Sequence, residues 1–121
     1  MKSLLSLVVL FLIAEHVYAD LLSIGTSPQG DIFIDDSSLN KMKNEVTFKS
    51  VLNLKEKTSR GTSSLKIEST INCQKLEIVD INMLSYDETY GNGKIIDSWK
   101  PELKWRIIES NNHLYKFVCN R

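Results

Sequence analysis

Residues 65–73 read LKIESTINC, and this stretch predicts both the type of fold and the way in which the chain is fastened. Apolar and polar side chains alternate along it, which is typical of a β-strand with one buried face. The residues predicted to face the core are Leu65, Ile67, Ile71 and Cys73, and those predicted to face outward are Lys66, Glu68 and Asn72. The stretch therefore predicts a half-buried strand that ends in a cysteine.

The chain before this strand has the same two-residue period. Residues 46–54 place apolar side chains mainly on one face, which predicts a second half-buried strand. A shorter strand is expected around Ile32 and Ile34. We expect a polar link at residues 37–45 and a long charged loop at residues 55–63, because neither segment has an apolar period.

The chain after Cys73 contains two signals of irregular strand structure. In residues 76–83 the alternation changes phase between Ile78 and Val79, which indicates a β-bulge there or a strand covered on both faces. The sequence Gly91-Asn92-Gly93 is typical of a hairpin turn, and it predicts a further strand at residues 94–99.

The last residues change to a helical period. Leu114, Phe117 and Val118 recur at helical spacing after residues 110–112, whose side chains are good helix N-caps. A helix of about eight residues is marginal by itself. We therefore expect its apolar stripe to pack on the predicted strands.

The first residues have the composition of an export signal. A basic start at Lys2 precedes the apolar run 4–14, and Val17 and Ala19 are the small residues that a signal peptidase requires. The run is shorter than the roughly 20 residues that span a bilayer. We therefore expect residues 1–19 to be a cleaved signal and residues 20–121 to form one domain without a transmembrane segment.

Export directs the chain to the periplasm, the cell surface or the medium. No cysteine lies near the expected cleavage site, so we expect no lipid anchor on an N-terminal cysteine. Cys73 and Cys119 are the two cysteines of the chain, and in an oxidising compartment they are expected to form one structural disulfide. The alternatives are an intermolecular bond and free thiols.

The net charge and its distribution along the chain indicate which classes of partner to expect. The net charge is +0, so the basic field on which nucleic-acid binding depends is missing. Residues 41–66 are nevertheless strongly basic and residues 77–90 carry acidic side chains without a cation. These stretches are either solvated faces that pair with each other across the sheet, or the basic stretch is a surface for an acidic partner.

Catalytic and metal-binding motifs are missing from the sequence. It contains no GxSxG, HExxH, phosphate-binding glycine loop or zinc-spaced cysteine–histidine cluster. His113 lies beside the predicted helix start, where a surface role is expected. We therefore expect a protein that is not an enzyme and has no catalytic residues, metal site or cofactor.

The order of these features resembles the surface-adhesin protein E family of Gram-negative bacteria. The resemblance covers nearly all of residues 21–119. Its features are, in order, Ile32-Phe33-Ile34-Asp35 followed by Ser38 and Lys41, a strand around residues 51–54, a segment from Ser64 to Ile71-Asn72-Cys73, Ser85-Tyr86, Gly91-Asn92-Gly93-Lys94, Trp105-Arg106-Ile107-Ile108 and Phe117-Val118-Cys119.

The resemblance implies an α+β fold that is mainly β. It implies a curved antiparallel sheet of about six strands with a short C-terminal helix that the disulfide ties to the sheet. It also implies an exported, non-catalytic bacterial protein that binds host extracellular-matrix proteins. The alternative is a periplasmic accessory or inhibitor protein without a role in adhesion, because a fold does not determine a function.

The basic loop and the strand after it are the expected partner-binding surface. This surface is exposed in the predicted fold and lies next to the strand that ends at Cys73. Its candidate residues are Lys55, Lys57, Arg60 and Lys66.

Overall fold

The computed structural model describes residues 21–120, so the expected signal peptide at residues 1–19 lies outside the described residues. Within the described part, the chain forms one antiparallel sheet of eight strands, and one α-helix follows the last strand. The elements are β1 (Leu21–Ser27), β2 (Gly30–Asp35), β3 (Asn40–Met42), β4 (Glu45–Leu54), β5 (Ser64–Asn72), β6 (Glu77–Tyr86), β7 (Ile95–Trp99), β8 (Arg106–Ile107) and α1 (His113–Cys119).

The sheet confirms the predicted fold class. Six strands follow one another across it in the order β1-β2-β4-β5-β6-β7, and two short strands pair at its margins, β3 with β4 and β8 with β6. Strand β3 lies inside the segment that was expected to be only a polar link. All of its residues are exposed, so it has no apolar alternation, and it forms because its backbone pairs with the start of β4.

The three longest strands bury one face of the sheet. Val46 of β4 lies opposite Ile71 of β5, which lies opposite Ile78 of β6, and all three side chains are buried. Phe48 and Ile34 extend this row of buried side chains toward β2. We call this side, on which α1 packs, the core face, and the opposite side the open face.

The phase change in β6 is explained by burial on both faces followed by a bulge. Ile78 and Val79 point to opposite faces and are 4% and 5% exposed, so the strand is covered on both sides there, which is the second of the two expected alternatives. The bulge lies further along the strand. Glu68 pairs with Asn82 and Ser69 with Asp80, which leaves Ile81 without a partner on β5.

Helix α1 has the predicted cap and the predicted covalent link to the sheet. The side-chain oxygen of Asn112 accepts hydrogen bonds from the backbone N–H groups of Leu114 at 2.9 Å and Tyr115 at 3.4 Å. Cys73 and Cys119 form a disulfide, which confirms the intramolecular pairing. The Tyr115 hydroxyl also donates a hydrogen bond to the Cys73 carbonyl at 3.1 Å.

Two kinds of contact therefore hold the helix on the core face. Val118 belongs to the buried core, and Leu114 and Phe117 pack against that core. The disulfide and the Tyr115 hydrogen bond both act at Cys73, the first residue after β5. The helix has only seven residues, so these tertiary contacts stabilise it more than its own backbone hydrogen bonds do.

Removal of the disulfide should lower the stability of the domain strongly. For a sequence separation of 46 residues, the loss of the loop constraint in the C73S/C119S variant is expected to cost about 4 kcal/mol in the free energy of unfolding. Urea unfolding should give the same decrease in the free energy of unfolding for the variant and for the reduced wild-type protein. Y115F removes only the hydrogen bond to Cys73 and should cost about 1 kcal/mol. A loss below about 1 kcal/mol in C73S/C119S would contradict this account.

Candidate functional site

The connection between β6 and β7 builds one wall of a site on the open face. The Gly91-Asn92-Gly93 signal does precede a strand that pairs with β6, as predicted. The connection is longer than a tight hairpin turn, however, because it comprises residues 87–94 and includes a 3-10 turn at Thr89–Gly91. This turn folds over the ends of β4 and β5, to which side-chain hydrogen bonds attach it.

Ser64 is the main attachment point of the turn. Its side chain is fully buried, donates a hydrogen bond to the Glu88 carbonyl at 2.6 Å and accepts one from the Gly91 N–H at 2.9 Å. The Asn53 side-chain oxygen accepts a third hydrogen bond, from the Tyr90 N–H at 2.7 Å. Three polar contacts from two neighbouring strands therefore determine where the turn lies.

Tyr90 is held in a backbone conformation that few residues other than glycine adopt. Its φ angle is 60°, in the left-handed region. The ring contacts Phe33 of β2 edge-on, with the ring centroids 5.1 Å apart. The turn thus reaches from β5 to β2 across the open face.

Two adjoining cavities lie on the open face beside this turn. Their volumes are about 230 and 170 Å³, and Lys49 of β4 and Lys66 of β5 line both of them. Leu84 lines the larger cavity, and Val51 and Tyr90 line the smaller one. We call the two cavities, with the two lysines between them, the lysine cleft.

The side chain of Lys66 is confined within the lysine cleft. Its ammonium group lies 5.5 Å from the centre of the Tyr86 ring, at the distance of a cation–π contact. Its Cε lies against Gly91, where an added Cβ would stand only 3.1 Å away. Gly91 has a φ of +68°, so both its backbone and the lysine stem require a residue without a side chain.

Neither ammonium group of the cleft forms an ion pair within residues 21–120. In the described part of the chain, no carboxylate lies within 4.0 Å of the Lys49 or Lys66 ammonium. Glu68 lines the larger cavity, but its Oε1 accepts a hydrogen bond from the Asn82 amide at 2.6 Å. Asp35 lines the smaller cavity, and its Oδ1 accepts hydrogen bonds from Ser37. The cleft therefore contains two cations and two carboxylates, and the carboxylates hydrogen-bond to neutral groups and form no ion pair with the lysines.

The predicted partner-binding residues lie in three different environments. Lys55 and Lys57 are exposed in the loop of residues 55–63. Arg60 of the same loop forms an ion pair with Asp97 at 2.7 Å, and Lys66 lies in the lysine cleft. The loop itself is ordered by backbone hydrogen bonds between Thr58 and residues 61–62.

The charged stretches do not pair with each other as ion pairs. Among residues 21–120, ion pairs join Arg60 to Asp97 and Arg106 to Asp80, and neither links the basic stretch 41–66 to the acidic stretch 77–90. Both pairs are partly exposed and are therefore expected to add little stability.

The sequence predictions omitted Lys49, Leu84 and Tyr90 from the site. Lys49 could have been placed on the same face as Val51 and Asn53 by the two-residue period of β4. Its position beside Lys66 follows from the register in which Val51 lies opposite Lys66, and no local signal contains that register. Tyr90 could not have been found, because its turn is positioned by contacts with distant strands.

The described residues contain no set of side chains that is suited to bind a metal ion. No group of three or more His, Cys, Asp or Glu side chains within residues 21–120 could hold a metal ion. His113 is exposed at the start of α1, and its ring lies against the backbone of Gly25. Over the same range, no helix is long and apolar enough to cross a membrane.

Replacement of Ser64 by alanine should loosen the turn at residues 89–91. S64A leaves the Gly91 N–H and the Glu88 carbonyl without their partner in a partly buried position, which should cost about 1–3 kcal/mol in the free energy of unfolding. Urea unfolding measures this loss. S98A changes an exposed serine of the cleft and serves as the control, with an expected change within about 0.5 kcal/mol. Equal stability of the two variants would show that Ser64 does not attach the turn.

Comparison with known proteins identifies the family. The sequence profile described as Surface-adhesin protein E matches residues 21–120. No curated protein sequence matches the chain significantly.

The fold resembles solved structures of protein E from Haemophilus influenzae. Crystal form II has a TM-score of 0.65 at 18% identity, with 86% of this chain and 90% of that chain covered. The structure from a non-typeable strain has a TM-score of 0.63 at 18% identity, with 85% and 75% covered. The selenomethionine form has a TM-score of 0.62 at 19% identity, with 85% and 88% covered. Because the profile spans the whole described domain, the chain belongs to the surface-adhesin protein E family.

Proposed function

We propose that this chain is an exported, non-catalytic adhesin of a Gram-negative bacterium that binds a host extracellular-matrix protein. The observation that carries the proposal is membership of a surface-adhesin family across residues 21–120. Export by a cleaved signal at residues 1–19 is part of the proposal. So is the protein nature of the partner, which agrees with a net charge of +0 that does not favour nucleic acid.

The proposed binding surface consists of the basic loop and the adjacent strand. Lys55 and Lys57 are exposed, and in the described part of the chain neither lies in an ion pair. Hydrogen bonds across Thr58–Thr62 order the loop, so its cations are presented with less loss of conformational entropy on binding. Arg60 would have to exchange its exposed partner Asp97 for an acidic group of the ligand, which costs little at a surface.

Loss of the four cations of this surface should weaken binding to matrix. In the K55S/K57S/R60S/K66S variant we expect about a tenfold or greater loss of affinity, because the cations that steer and hold an acidic partner are gone. The measurement is solid-phase binding to matrix laid down by cultured epithelial cells. The melting temperature should change by only a few degrees, since Lys55, Lys57 and Arg60 are exposed and exposed charges contribute little to stability, while the half-buried Lys66 loses one cation–π contact.

A matched variant separates this surface from net charge. K41S/K43S/K100S/K104S removes the same number of positive charges from exposed positions elsewhere. It should retain the wild-type affinity for matrix. Equal weakening by both variants would mean that general charge, and not the basic loop, determines binding.

The location of the protein in its own cell tests the adhesin role separately. A surface adhesin should be digested when intact cells are treated with protease. A periplasmic accessory or inhibitor protein should be protected from protease and released only by osmotic shock, and that result would contradict the proposed role in adhesion.

A further inference from the structure

We propose that the lysine cleft binds an extended peptide segment of a partner protein, with one carboxylate of the segment between Lys49 and Lys66. This inference rests on the proposed function in one respect, namely that the partner is a protein. It adds the chemistry of the segment that the partner would present. The lysine cleft lies on the open face of the sheet and is distinct from the exposed loop at residues 55–63. Lys66 is the residue that the cleft shares with the proposed binding surface.

The first argument is the state of the two cations. Lys49 and Lys66 line both cavities, and within residues 21–120 no carboxylate lies within 4.0 Å of either ammonium group. The Lys66 ammonium lies over the Tyr86 ring and its Cε lies beside Gly91, so the side chain loses little freedom when an anion binds. A confined cation that forms no ion pair and lies beside a cavity is suited to accept a carboxylate.

The second argument is the apolar surface on either side of the lysines. Leu84 lines the larger cavity, and Val51 and the Tyr90 ring line the smaller one. Alternate side chains of an extended chain point to the same side, about 7 Å apart. A segment with the pattern apolar-x-acidic-x-apolar therefore presents its carboxylate to the lysines and one apolar side chain to each cavity.

The third argument excludes a repeating polyanion such as a sulfated glycan. Glu68 lines the larger cavity and Asp35 the smaller one, so a carboxylate lies at each side of the lysine pair. A chain with an anionic group at every unit would bring its charges close to both carboxylates. Like charges repel, and the repulsion becomes stronger as the charges approach each other. One carboxylate with neutral neighbours avoids this repulsion.

A pair of short peptides tests the proposal directly. The probes are acetyl-Leu-Ser-Glu-Ser-Leu amide and its counterpart with glutamine in place of glutamate. Each is titrated to about 10 mM, so that dissociation constants up to about this value can be detected. Binding to the ¹⁵N-labelled protein, purified from a secreting host, is followed by NMR. The glutamate peptide should shift the amides of Lys49, Lys66 and Leu84, with about tenfold higher affinity than the glutamine peptide. Equal affinities, or no shifts, would overturn the proposal.

Charge-removing variants locate the carboxylate. Lys66→Met and Lys49→Met keep an unbranched apolar stem of similar length, so the packing of residue 66 beside Gly91 is retained, while the cation–π contact with Tyr86 is lost. Each should reduce the preference for the glutamate peptide by several-fold, and together they should abolish it. K41M/K43M removes two charges from exposed positions that belong to neither proposed surface, and it should leave the preference unchanged. An equal effect of K41M/K43M would overturn the assignment to the cleft.

Two further arms separate the alternatives. A heparin-derived hexasaccharide that shifts the cleft amides while the glutamate peptide does not would assign the cleft to a glycan and overturn the proposal. Matrix binding and peptide binding by the wild-type protein, measured as above, distinguish the two proposals from each other. Peptide binding in a protein that binds no matrix would leave the cleft assigned and contradict the adhesin role, whereas matrix binding without peptide binding would contradict only the cleft.

Discussion

The pairing of β5 with both β4 and β6 is the constraint on which the rest of the structure depends. It aligns Val46, Ile71 and Ile78 in one buried row, and a shift of one residue in either register would turn every side chain of a strand to the wrong face. The same strand leads directly into Cys73, where the disulfide and the Tyr115 hydrogen bond fasten the helix. Strand β5 therefore both aligns the buried side chains of the core face and leads into the attachment point of the helix that packs on that face.

The same register also builds the open face. Because Val51 lies opposite Lys66 and Lys49 opposite Glu68, the two lysines come to lie on neighbouring strands with apolar side chains around them. Ser64, at the start of β5, then attaches the turn that carries Tyr90 and Gly91 over this face. One strand thus positions the hydrophobic core, the covalent staple and the lysine cleft, so stability and the proposed binding chemistry are coupled through β5.

Local patterns predicted most of the fold. The two-residue period identified β4 and β5 and their buried faces, and the cap at Asn112 with the stripe around Val118 identified the helix. Prediction was weakest where side-chain period carries no information. Strand β3 is exposed throughout, and the turn at residues 89–91 depends on Asn53 and Ser64, which are distant in sequence. Among the four candidate binding residues, Arg60 has a partner in Asp97 that no pattern had indicated.

The sequence by itself determined that β4 and β5 form strands, which face of each is apolar, and that Cys73 and Cys119 had only each other as partners within one chain. These properties follow from the period of side chains and from the number of cysteines, and both are local or countable. Only the tertiary structure decided that, within residues 21–120, Lys49 and Lys66 form no ion pair while Arg60 does, and that a turn lies beside the cleft. Those outcomes depend on strand register and on hydrogen bonds between residues far apart in sequence, and such distances arise only when the sheet has formed.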